Sequence, residues 1–492
     1  MKLNELLRGL DVLDSGLEAG GEVTSLAYDS RQVQRGSLFF AIQGEKADGH
    51  AFIPQALDRG AIAVVSERQA PKDPASRWVR VPRIRRALST AGRLFFGQPD
   101  LSLKLVGITG TNGKTTTAFL VDSVLRAAGI TTGLFGTIEY RVAGRALPAL
   151  NTTPESLDLW SYLAQTVQAG GTGAVMEVSS HALAQERVWG LPYFVAVFTN
   201  LTRDHLDYHK DFEHYFAAKR RLFEGLGTPP PAWAVINLDD PWGKKLLDLP
   251  GSQRLTYGMN SNAQVKVKHL DSRHNGLEGT IVTPAGRLEL VSSLVGRANL
   301  ANILAAAAAS VAYGIPLEKI EEGIENLKAV PGRFERIDEG QSFLVVVDYA
   351  HTDDALRNVL STARELTRNR LIVVFGCGGE RDRAKRPLMG EAAGSLSDLA
   401  VLTSDNPRSE DPLLIMNDAL VGLQKAGKPY WAEVDRGKAI RKAIEEAREG
   451  DVVVLAGKGH ETYQILKDGV VPFDDREVAR EVLHEMGYRT TK

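Results

Sequence analysis

Short apolar runs, each followed by a polar turn and then a helical stretch, recur along most of this chain and predict α/β layering throughout. The first group holds SLFFAI (37–42), AIAVVS (61–66) and WVRVP (78–82), with a helical stretch over Ile53 to Arg59 between strands. It predicts a small α/β domain over residues 1–102. In the second group, AVMEVS (173–178), YFVAVFTN (193–200) and AWAVINLD (232–239) alternate with helices after LVGIT at Leu105 to Thr109. Strands apolar at nearly every position are covered on both faces, so a mostly parallel sheet is expected within 103–330. Between Gln264 and Val295 the pattern alternates, with turns and no helix, which predicts an antiparallel extension at the edge of that sheet. NLANILAAAAASVAYG (299–314) predicts an apolar helix closed by Gly314, with Pro316 restarting the chain.

A linker is expected at AVPGRFER (329–336), where Pro331 and Gly332 interrupt the periodicity. Beyond it FLVVVDYA (343–350), LIVVFG (371–376), LAVLTSD (399–405) and DVVVLAG (451–457) each precede a helical stretch. That pattern predicts a second, doubly wound Rossmann-like sheet over 331–492, with its active edge at the carboxyl ends of the strands. Asp348, His351, Gly376, Asp405 and Gly457 to His460 fall just past those ends.

Composition narrows the picture. A chain of 492 residues is too long for one core and should divide into roughly three domains. Lys+Arg of 59 against Asp+Glu of 61 leaves a formal charge of −2, so no global field draws the protein to nucleic acid or anionic lipid. Any anion must be held locally. A single cysteine, Cys377, excludes an internal disulfide framework and speaks against structural zinc. The N-terminus has no apolar core of secretory length, and nowhere do about 18 apolar residues run without charge. A soluble, cytoplasmic monomer with no membrane insertion is the expectation.

Candidate chemistry concentrates at the predicted strand ends. LVGITGTNGKTTT (105–117) breaks from a strand into a glycine-rich turn and enters a helix, which describes a phosphate cradle of the P-loop kind. Gly110, Thr111, Asn112, Gly113 and Thr116 belong to it; Lys114 can reach terminal phosphates and Thr115 can ligate Mg²⁺. ATP is the implied co-substrate. Glu177 is the only acid in its apolar strand, and a cation such as nucleotide-bound Mg²⁺ would compensate it. Asn200, Asp204 and His205 end the next strand, so three strand ends should meet over the phosphates. Lys219, on a helix whose Phe216 and Phe223 mark an inward face, reads from the residues alone as a solvated lysine. Asp29-Ser30-Arg31, Asn151-Thr152-Thr153-Pro154, and Ser179 with Gln185 and Arg187 supply polar donors for a long anionic substrate, although Asn-Thr-Thr-Pro is also a good helix start. In the last third, Arg381 and Arg408 could each grip a carboxylate, while Asp405, Asn406 and Glu461 could receive an ammonium group. That fits an amino acid with two charged ends.

GTNGKTT, EVSSH, TNLTRDHLDYH, Asn299 with Asn302, PGRFE, DYAHTDDAL and GKGHE resemble, in order, the motifs of the Mur ligases, ATP-dependent amide-forming enzymes of peptidoglycan precursor synthesis. The resemblance spans nearly the whole chain. It implies an N-terminal domain for the UDP end of the substrate, a central ATPase and a mobile C-terminal domain for the incoming amino acid. DSR, NTTP and SDNPRSE are closest to the members that add the third residue to UDP-N-acetylmuramoyl-L-alanyl-D-glutamate, and D-N-P-R at 405–408 resembles the meso-diaminopimelate version. The L-lysine-adding version usually lacks that arginine; it and a folylpolyglutamate-type ligase are the alternatives. Substrate contacts are implied at Tyr28, Ser30, Asn151, Thr152, Thr153, Ser179, Gln185 and Arg187, and at Glu45, Lys46 and Ala47, where relatives more often show His-Gln-Ala. Amino-acid contacts are implied at Arg381, Asp405, Asn406, Pro407, Arg408, Gly457 and Glu461. Asn302, Arg333 and Asp348 would engage ATP. Lys219 is implied to be carbamylated and, with Thr115, Glu177 and His205, to hold two Mg²⁺ ions.

Overall fold

The computed structural model describes all residues except 16, 18, 19, 45, 46, 71–76, 260, 261, 274 and 490–492. Its first sheet runs, edge to edge, Asp14–Ser15, Trp78–Arg80, Ala63–Ser66, Ser37–Phe40 and Ser25–Ala27; only the Asp14–Ser15 edge is antiparallel. The helix Ile84–Phe95 covers one face, burying Ile84, Ala87, Leu88 and Ala91.

The central sheet has eight strands among the described residues, in the order Gln253–Tyr257, Trp233–Asn237, Tyr193–Phe198, Lys104–Thr109, Gly173–Glu177, Thr132–Phe135, Glu139–Val142 and Arg145–Pro148. The first six are parallel, and the last two form an antiparallel hairpin at the edge. One apolar core lies between this sheet and the helices Lys114–Ala127 and Gly296–Tyr313, and another lies on the opposite face under Ser156–Gln168 and Phe212–Glu224. Both faces are therefore dry, as continuous apolar strands require.

The alternating segment corrects an expectation. Lys266–Arg273, Gly276–Thr283 and Gly286–Ser292 form their own three-stranded antiparallel sheet, not an extension of the central edge. Leu277, Ile281, Leu288 and Leu290 share a core with the alanine-rich helix, so the sheet packs its apolar face on helices. A bridge between Tyr257 and Val265 marks its approach to the central sheet.

After the linker the last sheet runs Glu335–Ile337, Leu344–Asp348, Val452–Ala456, Leu371–Cys377, Leu399–Ser404 and Tyr430–Ala432. Its first strand is antiparallel and the rest are parallel, with helices on both faces. Among the described residues, no helix is long and apolar enough to cross a membrane.

Candidate active site

The strand Lys104–Thr109 lies between Gly173–Glu177 and Tyr193–Phe198, so the cradle that follows it opens beside the ends of both. Gly113 turns at φ +86°, and a Cβ there would run into Asn302 Oδ1 on the neighbouring helix. Only glycine lets Asn302 close on the turn. Asn200 fixes the loop from the other side, its carbonyl accepting from Thr111 N at 2.8 Å and its Oδ1 from Asn112 N at 2.9 Å. Lys114 Nζ folds back on the carbonyls of Gly110 (2.9 Å) and Thr111 (2.8 Å). Burial holds its pKa below the usual lysine value, opposed by the nearby Glu177 charge.

Glu177 is 1% exposed, so it is no surface carboxylate. It accepts from Thr137 N at 2.8 Å and from the hydroxyls of Thr115 and Thr137 at 3.1 Å each. His205, at φ +52°, faces Asp204 with Nε2 3.3 Å from Oδ2. Burial pulls the His205 pKa down to about 3, while Asp204, which burial alone would raise, is held below the ordinary carboxylate range by His205, His351, Lys385 and Lys114. That shift favours the neutral imidazole, the form that ligates metals.

Lys219 overturns the solvated reading made from its helix alone. The side chain is 1% exposed, its Nζ donates to Gly110 O at 2.7 Å, and it lies 4.4 Å from the Tyr215 ring centroid. Burial, reinforced by Lys114, pushes its pKa far below the ordinary lysine value. The helix periodicity placed Phe216 and Phe223 inside; it could not say that the cradle would fold over the lysine as well.

A cleft of about 330 Å³ joins Thr111 to Thr116, Glu177, Asp204 and His205 to a second wall from beyond the linker. That wall includes Asp348, Tyr349, His351, Asn358, Val359 and Thr362, facing Asn299 and Asn302. The linker closes the gap: Arg333 Nη2 donates to Thr115 Oγ1 at 3.2 Å, and its guanidinium stacks 4.5 Å from the Tyr349 ring centroid. Asp348 accepts from Phe334 N at 2.7 Å, and burial raises its pKa. Asp354 Oδ2 accepts from Asn112 Nδ2 (2.9 Å) and Thr202 Oγ1 (2.8 Å), tying the last unit to the cradle. Sequence reasoning missed Asp354, although it lies in the DYAHTDDAL stretch.

A second, wider cleft shares Thr152, Asp204, His205, Tyr349, His351 and Thr352 with the first. On one side it brings together Asn151, Thr153, Ser179, Gln185 and Arg187; on the other it holds Arg381, Asp405, Asn406, Arg408, Gly457 and Glu461. Thr153 Oγ1 donates to Glu177 O at 2.9 Å, and Arg187 pairs with Glu155 at 3.0 Å. The helix after Asn-Thr-Thr-Pro begins at Ser156, so those polar residues stay in the loop. Pro407 belongs to the 405–408 turn without lining the cleft, and Arg408 sits at φ +56° with Nη1 on Gly379 O at 2.7 Å.

Asn406 departs from its expected role. Its Oδ1 accepts from Lys458 Nζ (3.1 Å) and Ile465 N (2.9 Å), while its Nδ2 donates to Glu461 at 2.9 Å. The amide therefore offers the cleft a donor and is no receptor for ammonium. Tyr28, Ser30 and Ala47 are not gathered into either cleft. Tyr28 donates to Asp158 at 2.6 Å, Ser30 to Gln55 at 2.7 Å, and Ala47 O accepts from Gly44 N at 2.9 Å. Glu45 and Lys46 lie outside the described residues.

Comparison with known proteins agrees with this arrangement. Residues 22–95 match the Mur ligase family catalytic domain, 108–310 the Mur ligase middle domain, and 332–459 the Mur ligase glutamate ligase domain. The chain is 60% identical over 471 residues to the UDP-N-acetylmuramoyl-L-alanyl-D-glutamate--2,6-diaminopimelate ligase of Solibacter usitatus (strain Ellin6076), covering 96% of this chain and 95% of that protein. A solved structure of a UDP-N-acetylmuramoyl-L-alanyl-D-glutamate--2,6-diaminopimelate ligase superposes with a TM-score of 0.70 at 34% identity, over 99% of both chains. The MurF ligase from Thermotoga maritima, solved in complex with ADP, shares the fold at 19% identity with a TM-score of 0.64, over 94% of this chain and 97% of that one. Matched by three Mur ligase domain models and aligned with such relatives along nearly its whole length, the chain belongs to the Mur ligase family.

Proposed function

We propose that this protein is an ATP-dependent, ADP-forming ligase that joins meso-diaminopimelate to the D-glutamate side-chain carboxylate of UDP-N-acetylmuramoyl-L-alanyl-D-glutamate, a step in peptidoglycan precursor synthesis. One observation carries the reading. The cleft holding the phosphate cradle and the cleft holding the paired arginines and acids share a wall at Asp204, His205 and His351. A nucleotide and a doubly charged amino acid can therefore meet on one carboxylate.

That carboxylate attacks the γ-phosphate of ATP, giving an acyl phosphate and ADP. The amine of diaminopimelate then adds to the acyl carbon, and inorganic phosphate leaves. A free carboxylate resists amines because its charge repels them and oxide leaves poorly; phosphorylation removes both obstacles. No enzyme nucleophile is needed, and positioning with charge neutralisation dominates. Lys114 releases its carbonyls to meet the phosphates, with Gly110, Thr111, Asn112, Gly113 and Thr116 cradling them. Asn302, Arg333 and Asp348 engage the nucleotide as the last unit closes and excludes water.

The donors near the cradle fit Mg²⁺. The Thr115 hydroxyl and the buried Glu177 carboxylate are hard oxygen ligands, and Mg²⁺ completes its shell with phosphates and water. His205 and carbamylated Lys219 would hold a second ion. An uncharged lysine amine is the form that adds carbon dioxide, and burial shifts Lys219 toward that form. Mg²⁺ would supply electrostatic stabilisation as two anions approach. On the substrate side Asn151, Thr152, Thr153, Ser179, Gln185 and Arg187 position the muramoyl peptide, with Tyr28, Ser30, Glu45, Lys46 and Ala47 assigned to its UDP end. Arg381 and Arg408 receive the distal carboxylate of diaminopimelate, and Asp405, Gly457 and Glu461 its ammonium end.

The deciding experiment supplies ATP, Mg²⁺ and UDP-N-acetylmuramoyl-L-alanyl-D-glutamate with either meso-diaminopimelate or L-lysine, following phosphate release and product mass. Tripeptide with diaminopimelate alone is expected. Tripeptide with lysine alone overturns the specificity, and no product with either overturns the reaction.

A further inference from the structure

Behind the amino-acid receptor lies a lysine to which the reaction above gives no task. Lys458 is 0% exposed, with Nζ 3.1 Å from Asn406 Oδ1, 3.2 Å from Glu461 Oε2 and 3.6 Å from Asp405 Oδ1. Behind these acids stands Arg436, also fully buried, bound to Asp475 at 2.8 and 2.5 Å and to Ala456 O at 3.0 Å. Asp475 takes up the Arg436 charge, so Lys458 offsets one of the two receptor carboxylates from inside the protein, before any ligand arrives.

The hydrogen bonds fix which way Asn406 faces. Lys458 Nζ and Ile465 N are both pure donors here, and Glu461 is an acceptor. Only one orientation of the amide satisfies all three. Oδ1 is consumed inside, and one Nδ2 hydrogen remains for a ligand. Asp405 is held less closely: its buried Oδ1 faces Lys458 Nζ at 3.6 Å without a hydrogen bond, while its backbone carbonyl is held by Gln464 Nε2 at 2.6 Å.

We propose that Lys458 is a positioning residue that sets amino-acid specificity, by orienting Asn406 as a donor and dividing the receptor into a carboxylate-binding half and an ammonium-binding half. Asn406 joins Arg381 and Arg408 in the first, and Asp405 with Glu461 forms the second. The receptor then matches a carbon that carries both an ammonium and a carboxylate. A distal end with ammonium alone adds a fourth cation to Arg381, Arg408 and Lys458, against only two acids. Without Lys458 the amide keeps Ile465 N and Glu461 but loses its charged donor, the acids lose their internal counter-charge, and this penalty on lysine falls. The proposal rests on the reading of the chain as a diaminopimelate ligase.

The test is Lys458→Met in the full-length enzyme, with kcat and KM measured for ATP, the UDP dipeptide, meso-diaminopimelate and L-lysine. KM for diaminopimelate should rise about tenfold or more, the scale of one charge-assisted hydrogen bond. Values of kcat and of KM for the other two substrates should stay within about threefold, and the diaminopimelate-to-lysine ratio of kcat/KM should fall. In an Asn406→Ala background the same substitution should add little, because Lys458 acts through Asn406. An unchanged diaminopimelate KM, a uniform loss across all substrates, or full additivity overturns the proposal. If Lys458→Met does not fold, Asn406→Asp decides, since it keeps both acceptors for Lys458 and Ile465 but has no donor. It should lose the preference as fully as Asn406→Ala, and a retained preference overturns the proposal. A wild-type enzyme inactive with diaminopimelate would instead refute the functional reading.

Discussion

Burial sets the charge state of the decisive side chains before substrate binds. Lys219 lies between Gly110 O and the Tyr215 ring, and burial pushes its pKa far below the ordinary lysine value, the direction the proposed carbamate requires. Lys219→Ala should lose turnover by at least about a hundredfold, the scale of a lost transition-state charge contact. A short carboxylic acid should restore part of it; near wild-type activity without the acid would remove the carbamate from the mechanism. Glu186 shows the opposite balance. It is at φ +57° between Gln185 and Arg187, its side chain is 4% exposed, and Arg86, Arg83 and Arg221 lie 2.8, 3.0 and 3.1 Å away. Burial alone would raise its pKa, but Arg86 and Arg83 overcome that and lower it from 4.5 to about 2. A lowered folded-state pKa gives stability that is complete above 4.5 and is lost as pH falls toward 2. Glu186→Gln should therefore melt about 2–4 °C below wild type at pH 7. The gap should close on acidification through that window, and a gap independent of pH would show that charge is not its cause.

At the scale of elements, the linker is a docked hinge. Gly332 turns at φ +64°, and a Cβ there would overlap Gly459 and His460 N. Gly332→Ala should strain the closed form by on the order of 1–3 kcal/mol and lower kcat by about tenfold or more; an unchanged kcat would show that this docking is not needed for turnover. Pro331 and Gly332 made the linker visible in the sequence, and unbroken apolar runs made the buried parallel strands visible. The edge hairpin Glu139–Pro148 and the hairpin Tyr463–Pro472 carried no such signal, because half-exposed strands owe their pairing to distant partners. The same limit hid the site's finer chemistry. GKGHE was legible as a motif, but Lys458 turns an asparagine 52 residues away, and no local pattern reports that. Lys219 looked solvated because periodicity describes one helix, whereas its burial depends on the cradle folding over it.

Across the whole molecule, the central and last units meet through few polar contacts, and Asp354 supplies two of them, to Asn112 and Thr202. An acyl phosphate survives only if water is kept away until the amine arrives. Asp354→Ala should leave the reaction possible but leaky, releasing more than one phosphate per tripeptide, whereas wild type releases one; equal stoichiometry in the two would show that this contact does not seal the cleft. The division of labour between the two sheets has a further consequence. The phosphate cradle follows a strand of one sheet and the proposed amino-acid receptor lies at strand ends of another, with no strand in common. Selection can therefore rewrite which monomer is accepted by editing the loops at 404–411 and 457–465 while the phosphate-handling half stays untouched. A wall polymer could change its cross-linking residue without its builder relearning how to spend ATP.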